Sequence, residues 1–191
     1  MALAGEGAVA IWHDIAPEGR AAFYAWHGEE HMPERVGIPG FVRGRRYVAV
    51  DADLEYFNLY EALSPQVLTG SDYQSRLNAP TPWTRDTVRH FSRVSRSICR
   101  VAATFGRGHG GLVATWRYDV DEAQAAAHLA RMRDRSEPPD FLAGEGVDCV
   151  QAADQVAEEG QRRPATRVGE RLDQHGRAHF GCRSKRPADA A

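Results

Sequence analysis

Apolar and polar positions alternate along residues 7–15, which read GAVAIWHDI. Alternation with a period of two is typical of a strand with one buried face, because successive side chains project to opposite sides. Val9, Ile11 and His13 would share one face, and Trp12 would lie on the other. The fold is therefore predicted to begin with a strand that carries a histidine among apolar residues.

A helix is predicted to follow this strand. Pro17 and Glu18 are of types favoured in a first helical turn, where a missing amide hydrogen costs little and an acidic group meets the positive end of the helix dipole. We expect the helix to end near His31, because Pro33 lacks an amide hydrogen and its ring clashes with the preceding turn. A Pro-Gly pair then makes a turn.

The pattern up to residue 105 predicts two more strands, two helical regions and a fourth strand. Their ranges are strands 41–50 and 55–63, a broken helical stretch 64–78, a short helix 84–91 and a strand 94–105. The resulting order, β-α-β-β-α-β, is that of ferredoxin-like folds. The sequence therefore predicts the α+β class, with one antiparallel ferredoxin-like unit over residues 1–106.

A weaker copy of this pattern begins near residue 111. Residues 111–129 match residues 7–25 at Gly, Val, Ala and Trp in the same spacing, and a helical stretch follows in both. This repetition predicts a tandem, degenerate second ferredoxin-like unit over residues 107–153. Residues 154–191 are rich in Arg, Gln, Gly and Asp with little apolar periodicity, so we expect a disordered tail or a frame-shifted end there.

The composition narrows the class of protein. With 42% hydrophobic residues, 26% charged residues and a formal net charge of −2, the chain is ordinary for a globular protein and gives no basis for binding nucleic acid. No run approaches the roughly 18 apolar residues that span a bilayer, and the N-terminus does not resemble a signal peptide. The three cysteines form no C-x-x-C pair, which favours a cytoplasmic location. Lys185 is the single lysine among many arginines, which suggests a GC-rich bacterial genome.

Residues 27–31, HGEEH, match H-x-x-E-H, a pattern of zinc peptidases. His27 and His31 lie four apart and could converge on one ion from a helix face. Zinc needs a further protein ligand, and the sequence offers no matching glutamate on a later helix, so we predict no metal. Two interpretations of the pair stay open. The histidines could be half-buried polar residues that close the helix, where the dipole favours them, or at least one could line a pocket.

The residues around this pair resemble those of a known family. Trp26, His31 and Pro33 form a W-x4-H-x-P motif, and a PGF turn and a strand follow it. This arrangement resembles the EthD-like members of the dimeric α/β-barrel superfamily. The stretches EHMPERVGIPGFVRGRRY and LNAPTPWT also look like an uncharacterised bacterial set of that superfamily. The resemblance covers about residues 7–105, with a weaker echo over 111–153.

The resemblance implies a fold and an assembly. It implies a four-stranded antiparallel sheet with helices on one face, and a barrel with an apolar pocket where two sheets meet, hence a homodimer. The superfamily includes cofactor-free monooxygenases, lactone isomerases, decarboxylases or dehydratases of polyketide-like compounds, and heme-binding enzymes. Fold alone does not choose among these activities. We expect no cofactor and a small molecule as ligand.

The resemblance also indicates site residues. In related proteins the histidine of the motif is the candidate for proton transfer, and this position is His31 here. A neutral imidazole can take or give a proton near neutral pH, and Glu34 could tune it if the helix continued past Pro33. His27 is an additional histidine outside the family motif. The residues expected to bind substrate are His13, Trp26, His27, Arg45 and Tyr60.

Structural roles compete with these assignments. A lone histidine on an apolar strand face, such as His13, is more often a buried residue with satisfied hydrogen bonds. Tyr60 shares a strand face with Tyr56 and Asn58, which could line a pocket, although tyrosine is common in sheets. Arg45 could bind a substrate carboxylate. It could also form ion pairs within the chain, and the candidates for these are Glu29, Glu30 and Glu34.

Two functions therefore stay open. The first is a small-molecule enzyme that acts on an apolar, aromatic or polyketide-like compound by histidine-assisted proton transfer. The second is a non-catalytic ligand-binding or accessory protein that dimerises through its sheet.

Overall fold

The structure, a computed structural model, describes residues 3–104, 111, 113–118 and 120–133, and the backbone of residues 151–155. Most of the predicted tail, and much of the predicted second unit, lie outside the described residues. The tandem repeat and the disordered tail therefore stay predictions.

The described chain alternates strands and helices in the predicted β-α-β-β-α-β order, and further elements follow. The strands are β1 (Gly7–Ile15), β2 (Phe41–Val48), β3 (Tyr56–Ala62), β4 (Phe91–Thr104) and β5 (Gln151–Gln155). The helices are α1 (Arg20–Trp26), α2 (Met32–Val36), α3 (Pro65–Thr69), α4 (Ser71–Asn78), α5 (Pro82–Thr87) and α6 (Glu122–Arg133). Short 3-10 turns cover Pro17–Gly19 and Val88–His90.

The five described strands form one sheet in the order β2-β3-β1-β4-β5, and each neighbouring pair is antiparallel. The first four strands are arranged as in a ferredoxin-like unit. The predicted α+β class and antiparallel sheet are confirmed. Within the described ranges, each helix is too short or too polar to cross a bilayer.

The two faces of the sheet have different neighbours. Val9 and Ile11 of β1 pack with residues of α3 and α4, so this face lies under the helices. Trp12 lies on the opposite face in an apolar cluster with Phe57 and Leu59 of β3, and the N-terminal segment adds Leu3 to this cluster. The alternation in β1 therefore predicted correctly which side chains face the helices.

The first helical region continues past its predicted end at His31. A wide π turn, residues 27–31, joins α1 to α2, and the helix runs on to Val36. In this turn the amide of Met32 donates to the carbonyl oxygen of His27, five residues back. The ring of Pro33 would meet the carbonyl of residue 29 in a regular α-helix, and the wider turn relieves that clash. The predicted helix end at His31 was wrong because a local change from an α-helix to a π turn accommodates Pro33 within the helix.

Candidate functional site

Six residues meet between the first helical region and the sheet. Two come from α1 and the start of the π turn, one from the end of that turn, and three from β1 and β3. We call this group the histidine cluster, and its members are His13, Trp26, His27, His31, Asn58 and Tyr60. The structure thus brings together five of the six residues expected at the site.

His31 packs on the indole of Trp26, with ring centroids 4.2 Å apart and the planes nearly parallel. Its Nδ1 atom is buried without a hydrogen-bond partner. The carboxylate of Glu34 lies nearby, with its Oε2 3.9 Å from Nδ1. This distance is an electrostatic contact and too long for a hydrogen bond. Glu34 reaches His31 because the helix continues past Pro33.

His27 and Tyr60 form a buried hydrogen-bonded pair. Both residues are 2% exposed, and the Nε2 atom of His27 lies 3.0 Å from the Tyr60 hydroxyl. The edge of Tyr60 also approaches His31, with ring centroids 6.2 Å apart. One tyrosine of β3 therefore contacts both histidines of the π turn.

His13 is held by hydrogen bonds at both ring nitrogens. Its Nε2 lies 2.9 Å from Nδ2 of Asn58, and its Nδ1 lies 3.4 Å from the carbonyl oxygen of Asp14. An amide nitrogen can only donate, so Nε2 accepts and the proton sits on Nδ1. Phe23 connects His13 to His27, since its ring centroid is 5.3 Å from each imidazole.

The three imidazoles are neutral near pH 7. Burial lowers the pKa of His31 to about 2, and the nearby charge of Arg35 adds to the shift. Burial lowers the pKa of His27 to about 3, with a contribution from Arg46. Burial also lowers the pKa of His13 to about 4, although its hydrogen bond to the carbonyl of residue 14 opposes this. Neutral imidazoles can donate and accept hydrogen bonds but carry no charge.

Glu30, which the sequence suggested only as an ion-pair partner of Arg45, connects Trp26 of the cluster to α5. Its Oε1 atom accepts hydrogen bonds from the indole nitrogen of Trp26 at 3.1 Å and from the hydroxyls of Thr81 at 2.6 Å and Thr84 at 3.2 Å. Thr81 is the N-cap residue of α5. The four-residue spacing of Trp26 and Glu30 on one helix was the sequence signal that could have revealed the first contact.

Arg45 lies on the opposite face of the sheet and does not join the histidine cluster. Its Nη2 is 2.8 Å from Oε1 of Glu61, and Arg43 also binds this carboxylate through Nε at 2.7 Å. Burial of Glu61 alone would raise its pKa, but hydrogen bonds from Arg43 and from the amide of Ala4 hold the pKa below its usual value. The glutamates of the helix, which the sequence suggested as partners, lie across the sheet.

A bulge explains this placement. Phe41 packs under the helices and pairs with Ala62, but the register shifts before Arg43, which pairs with Glu61. Regular alternation would place residues 41, 43 and 45 on one face. The extra residue of a bulge moves the arginines to the other face.

A metal site is not assembled among the described residues. His27 and His31 have ring centroids 5.7 Å apart, but no group of three His, Cys, Asp or Glu side chains in these ranges could hold an ion. Four-coordinate zinc takes at least three protein ligands.

Comparison with known proteins gives limited similarity. No family model matches the sequence, and no curated protein matches it. Among solved structures, SnoaB, a cofactor-independent oxygenase from Streptomyces nogalater, aligns with 50% of this chain and 91% of its own at 14% identity and a TM-score of 0.33. An ethyl tert-butyl ether D (EthD) family protein from Bacillus halodurans aligns with 48% of this chain and 95% of its own at 15% identity and a TM-score of 0.33. Neither similarity assigns an activity or a site residue to this chain.

Proposed function

We propose that this chain is a small-molecule enzyme in which His31 transfers a proton to or from an apolar, aromatic or polyketide-like substrate. The observation that carries the proposal is the buried Nδ1 atom of His31, which has no hydrogen-bond partner and lies 3.9 Å from the carboxylate of Glu34. A buried polar atom left unpaired costs about 1–3 kcal/mol, and a catalytic role is one of the explanations for such an atom in a native protein. The π turn that carries His31 is of a kind frequent at functional sites.

The surroundings of His31 suit a flat, weakly polar substrate. Trp26 and Tyr60, each 2% exposed, already pack on the His31 ring, so a flat aromatic substrate would replace one of these stacked or edge-on contacts. Proton uptake by the buried imidazole is unfavourable in the unliganded protein, because its pKa is about 2. A substrate that develops negative charge next to the ring would raise that pKa, and Glu34 would stabilise the imidazolium. Arg45 has no part in this proposal because it lies across the sheet.

The test is a turnover screen of the full-length wild type and His31→Gln with hydroxylated and keto-substituted aromatic compounds. General acid–base catalysis typically contributes 10²–10⁴-fold, so the variant is expected to lose at least about 100-fold in kcat. His128→Gln, on α6 and outside the cluster, is the matched control and is expected to keep its activity. Equal turnover by wild type and His31→Gln would end the catalytic assignment.

A second candidate function is favoured by a different observation. On the face away from the helices, Phe57 stacks between Trp12 and Tyr47, with ring centroids 4.9 Å and 5.8 Å apart, respectively. These three rings are only partly buried. Partly exposed aromatic side chains on one sheet face are suited to association. A non-catalytic ligand-binding or accessory protein that dimerises through its sheet would use this face. Absence of turnover in the screen, together with a dimer that Trp12→Arg abolishes, would favour this function.

A further inference from the structure

The sheet face away from the helices carries a row of aromatic and apolar side chains. We call it the open face, and its members are Ala8, Ala10, Trp12, Tyr47, Phe57, Leu59, Cys99 and Val101. Trp12 and Phe57 lie on adjacent strands at directly opposed positions. Sheets bury such faces against another layer of structure, so we expect another segment or chain to cover the open face.

Residues 113–118, which we call the strap, lie against the open face at Trp12. The indole nitrogen of Trp12 donates to the hydroxyl of Thr115 at 3.1 Å. The guanidinium of Arg117 lies 4.6 Å from the centroid of the Trp12 ring, and its Nη1 donates to the hydroxyl of Ser95 at 2.7 Å. Ser95 is the partner of Trp12 in the β1–β4 register. Two strap residues therefore engage one cross-strand pair.

The strap contacts the sheet and is itself exposed. Thr115 and Arg117 are two positions apart and both reach the sheet, and all six strap residues are exposed, with Trp116 at 44% and Tyr118 at 55%. The chain then enters α6, and the guanidinium of Arg133 at its end donates to the carbonyl oxygen of Ala102 in β4 at 3.0 Å. The strap is thus followed by a helix that is itself attached to the sheet.

We infer that the strap is the native occupant of the open face around Trp12, and that a second copy of this chain can bind there only after the strap has left. This inference does not depend on the proposed function. The contacts of the strap are exposed, and exposed hydrogen bonds and cation–π contacts are individually weak. The strap is nevertheless favoured, because a segment joined to the sheet by a short linker has an effective concentration in the millimolar range, well above that of a second chain.

The first experiment observes Trp12 directly. The chain has four tryptophans, so full-length protein labelled with fluorotryptophan gives a fluorine NMR spectrum with few resonances, which single Trp→Phe variants assign. In the double variant Thr115→Ala/Arg117→Ala, the Trp12 resonance is expected to shift and to become more sensitive to a soluble paramagnetic quencher. The Trp26 resonance is expected to stay. Thr69→Ala/Arg131→Ala makes the same residue changes elsewhere and serves as control. An unchanged Trp12 resonance in the strap variant would overturn the inference.

The second experiment measures the mass of the full chain in solution by light scattering over a wide concentration range. The wild type is expected to stay monomeric at concentrations at which the strap variant forms a dimer. Because the variant loses two weak contacts that hold the strap in place, its apparent dimerisation Kd should be at least about tenfold lower than that of the wild type. Adding Trp12→Arg to the strap variant should abolish that dimer. A wild-type dimer that Trp12→Arg dissociates would contradict the inference, because a second copy would then be the occupant. A strap variant with the same mass as wild type throughout would contradict its second part.

Discussion

At the scale of single residues, the histidine cluster separates groups that the sequence treats alike. His13 and His27 each have a hydrogen-bond partner at Nε2, from Asn58 and Tyr60. His31 instead has an unpaired Nδ1 with a carboxylate at 3.9 Å. All three are neutral for the same reason, burial, but only His31 retains an unfilled polar position beside an acid. This difference is why the proposed proton transfer is assigned to His31.

The cluster should make stability depend on pH. Each cluster histidine has a folded-state pKa below the 6.5 of an unfolded chain. Below about pH 6.5 the histidines of the unfolded chain therefore bind protons that the folded cluster does not bind. The free energy of unfolding consequently decreases as the pH is lowered. The contribution of the neutral histidines to stability is fully present above pH 6.5, and it is lost as the pH falls towards their folded-state pKa values, at pH 4 and below. One such group accounts for up to about 1.4 kcal/mol per pH unit.

Urea unfolding of wild type and His31→Gln between about pH 7 and pH 5 measures this effect. The wild type is expected to lose stability steadily, and the variant to show a slope smaller by about 1 kcal/mol per pH unit. Glu61 and Asp14 contribute little to the pH dependence of stability between pH 7 and pH 5, because their pKa values lie below those of free carboxyl groups. Parallel slopes for the two proteins would show that His31 is not a buried neutral imidazole.

At the scale of elements, the first helical region consists of α1 and α2, which are joined by the π turn. Each neighbouring segment is held separately: Glu30 connects the turn to α5, and Met32 packs against β2 beside Gly44. The turn lets the chain carry Pro33 in mid-helix while keeping His27 and His31 on the side of the sheet. The sequence revealed the proline but gave no sign of how the helix would accommodate it.

Glu30→Gln should loosen the contact between this turn and α5. The substitution removes the charge that strengthens three hydrogen bonds to Oε1, and hydrogen bonds to charged groups contribute about 1.5–3 kcal/mol each. We expect a loss of about 1.5 kcal/mol in the free energy of unfolding, measured in urea. Glu29→Gln, an exposed neighbour with the same chemical change, should stay within about 0.5 kcal/mol. A similar effect of both substitutions would show that the contacts of Glu30 contribute little.

Two glycines test the packing on either side of the helix. A Cβ atom at Gly28 would meet nothing within 4 Å, so Gly28→Ala should stabilise the helix by about 0.5–1 kcal/mol through its higher helix propensity. A Cβ atom at Gly44 would collide with the sulfur of Met32 and lie 3.1 Å from the ring of Tyr60. Gly44→Ala should therefore destabilise by about 1–3 kcal/mol. Thermal unfolding of the two variants should give shifts of opposite sign, and a stabilised Gly44→Ala would show that α2 can move away from β2.

At the scale of the whole molecule, the sheet separates two chemically different surfaces. The helix side holds the buried histidines, and the open face holds the aromatic row and the ion pairs of Glu61. Glu61 is 1% exposed in its side chain, whereas Arg43 and Arg45 keep 26% and 21% exposure. The same carboxylate also accepts the amide of Ala4 at 2.7 Å, so it attaches the N-terminal segment to the sheet.

Glu61→Gln tests this attachment. The amide cannot balance two arginines, so we expect a loss of about 1.5–3 kcal/mol in the free energy of unfolding and faster hydrogen exchange near Ala4. Glu55→Gln weakens an exposed pair with Arg20 and should cost less than about 1 kcal/mol. Unchanged exchange near Ala4 in Glu61→Gln would mean that other contacts hold the N-terminal segment.

The sequence by itself determined the local elements. Strand periodicity placed β1 over residues 7–15 and assigned Val9, Ile11 and His13 to the buried side, and the order of patterns gave the β-α-β-β-α-β arrangement. These features depend on neighbours a few residues apart, so the sequence contains them. The W-x4-H-x-P motif brought Trp26 and His31 forward, the HGEEH string added His27, and the structure keeps the three residues together.

Only the tertiary structure decided which groups meet across elements. The bulge after Phe41 moved Arg45 to the open face, the π turn carried the helix past Pro33 to Glu34, and β3 supplied Tyr60 to His27. A bulge or a wide turn changes the facing of every later residue by one position, and the sequence pattern around it is nearly the same with or without it. The state of the histidines follows from those placements, because burial by distant segments, and not the local sequence, sets their pKa values.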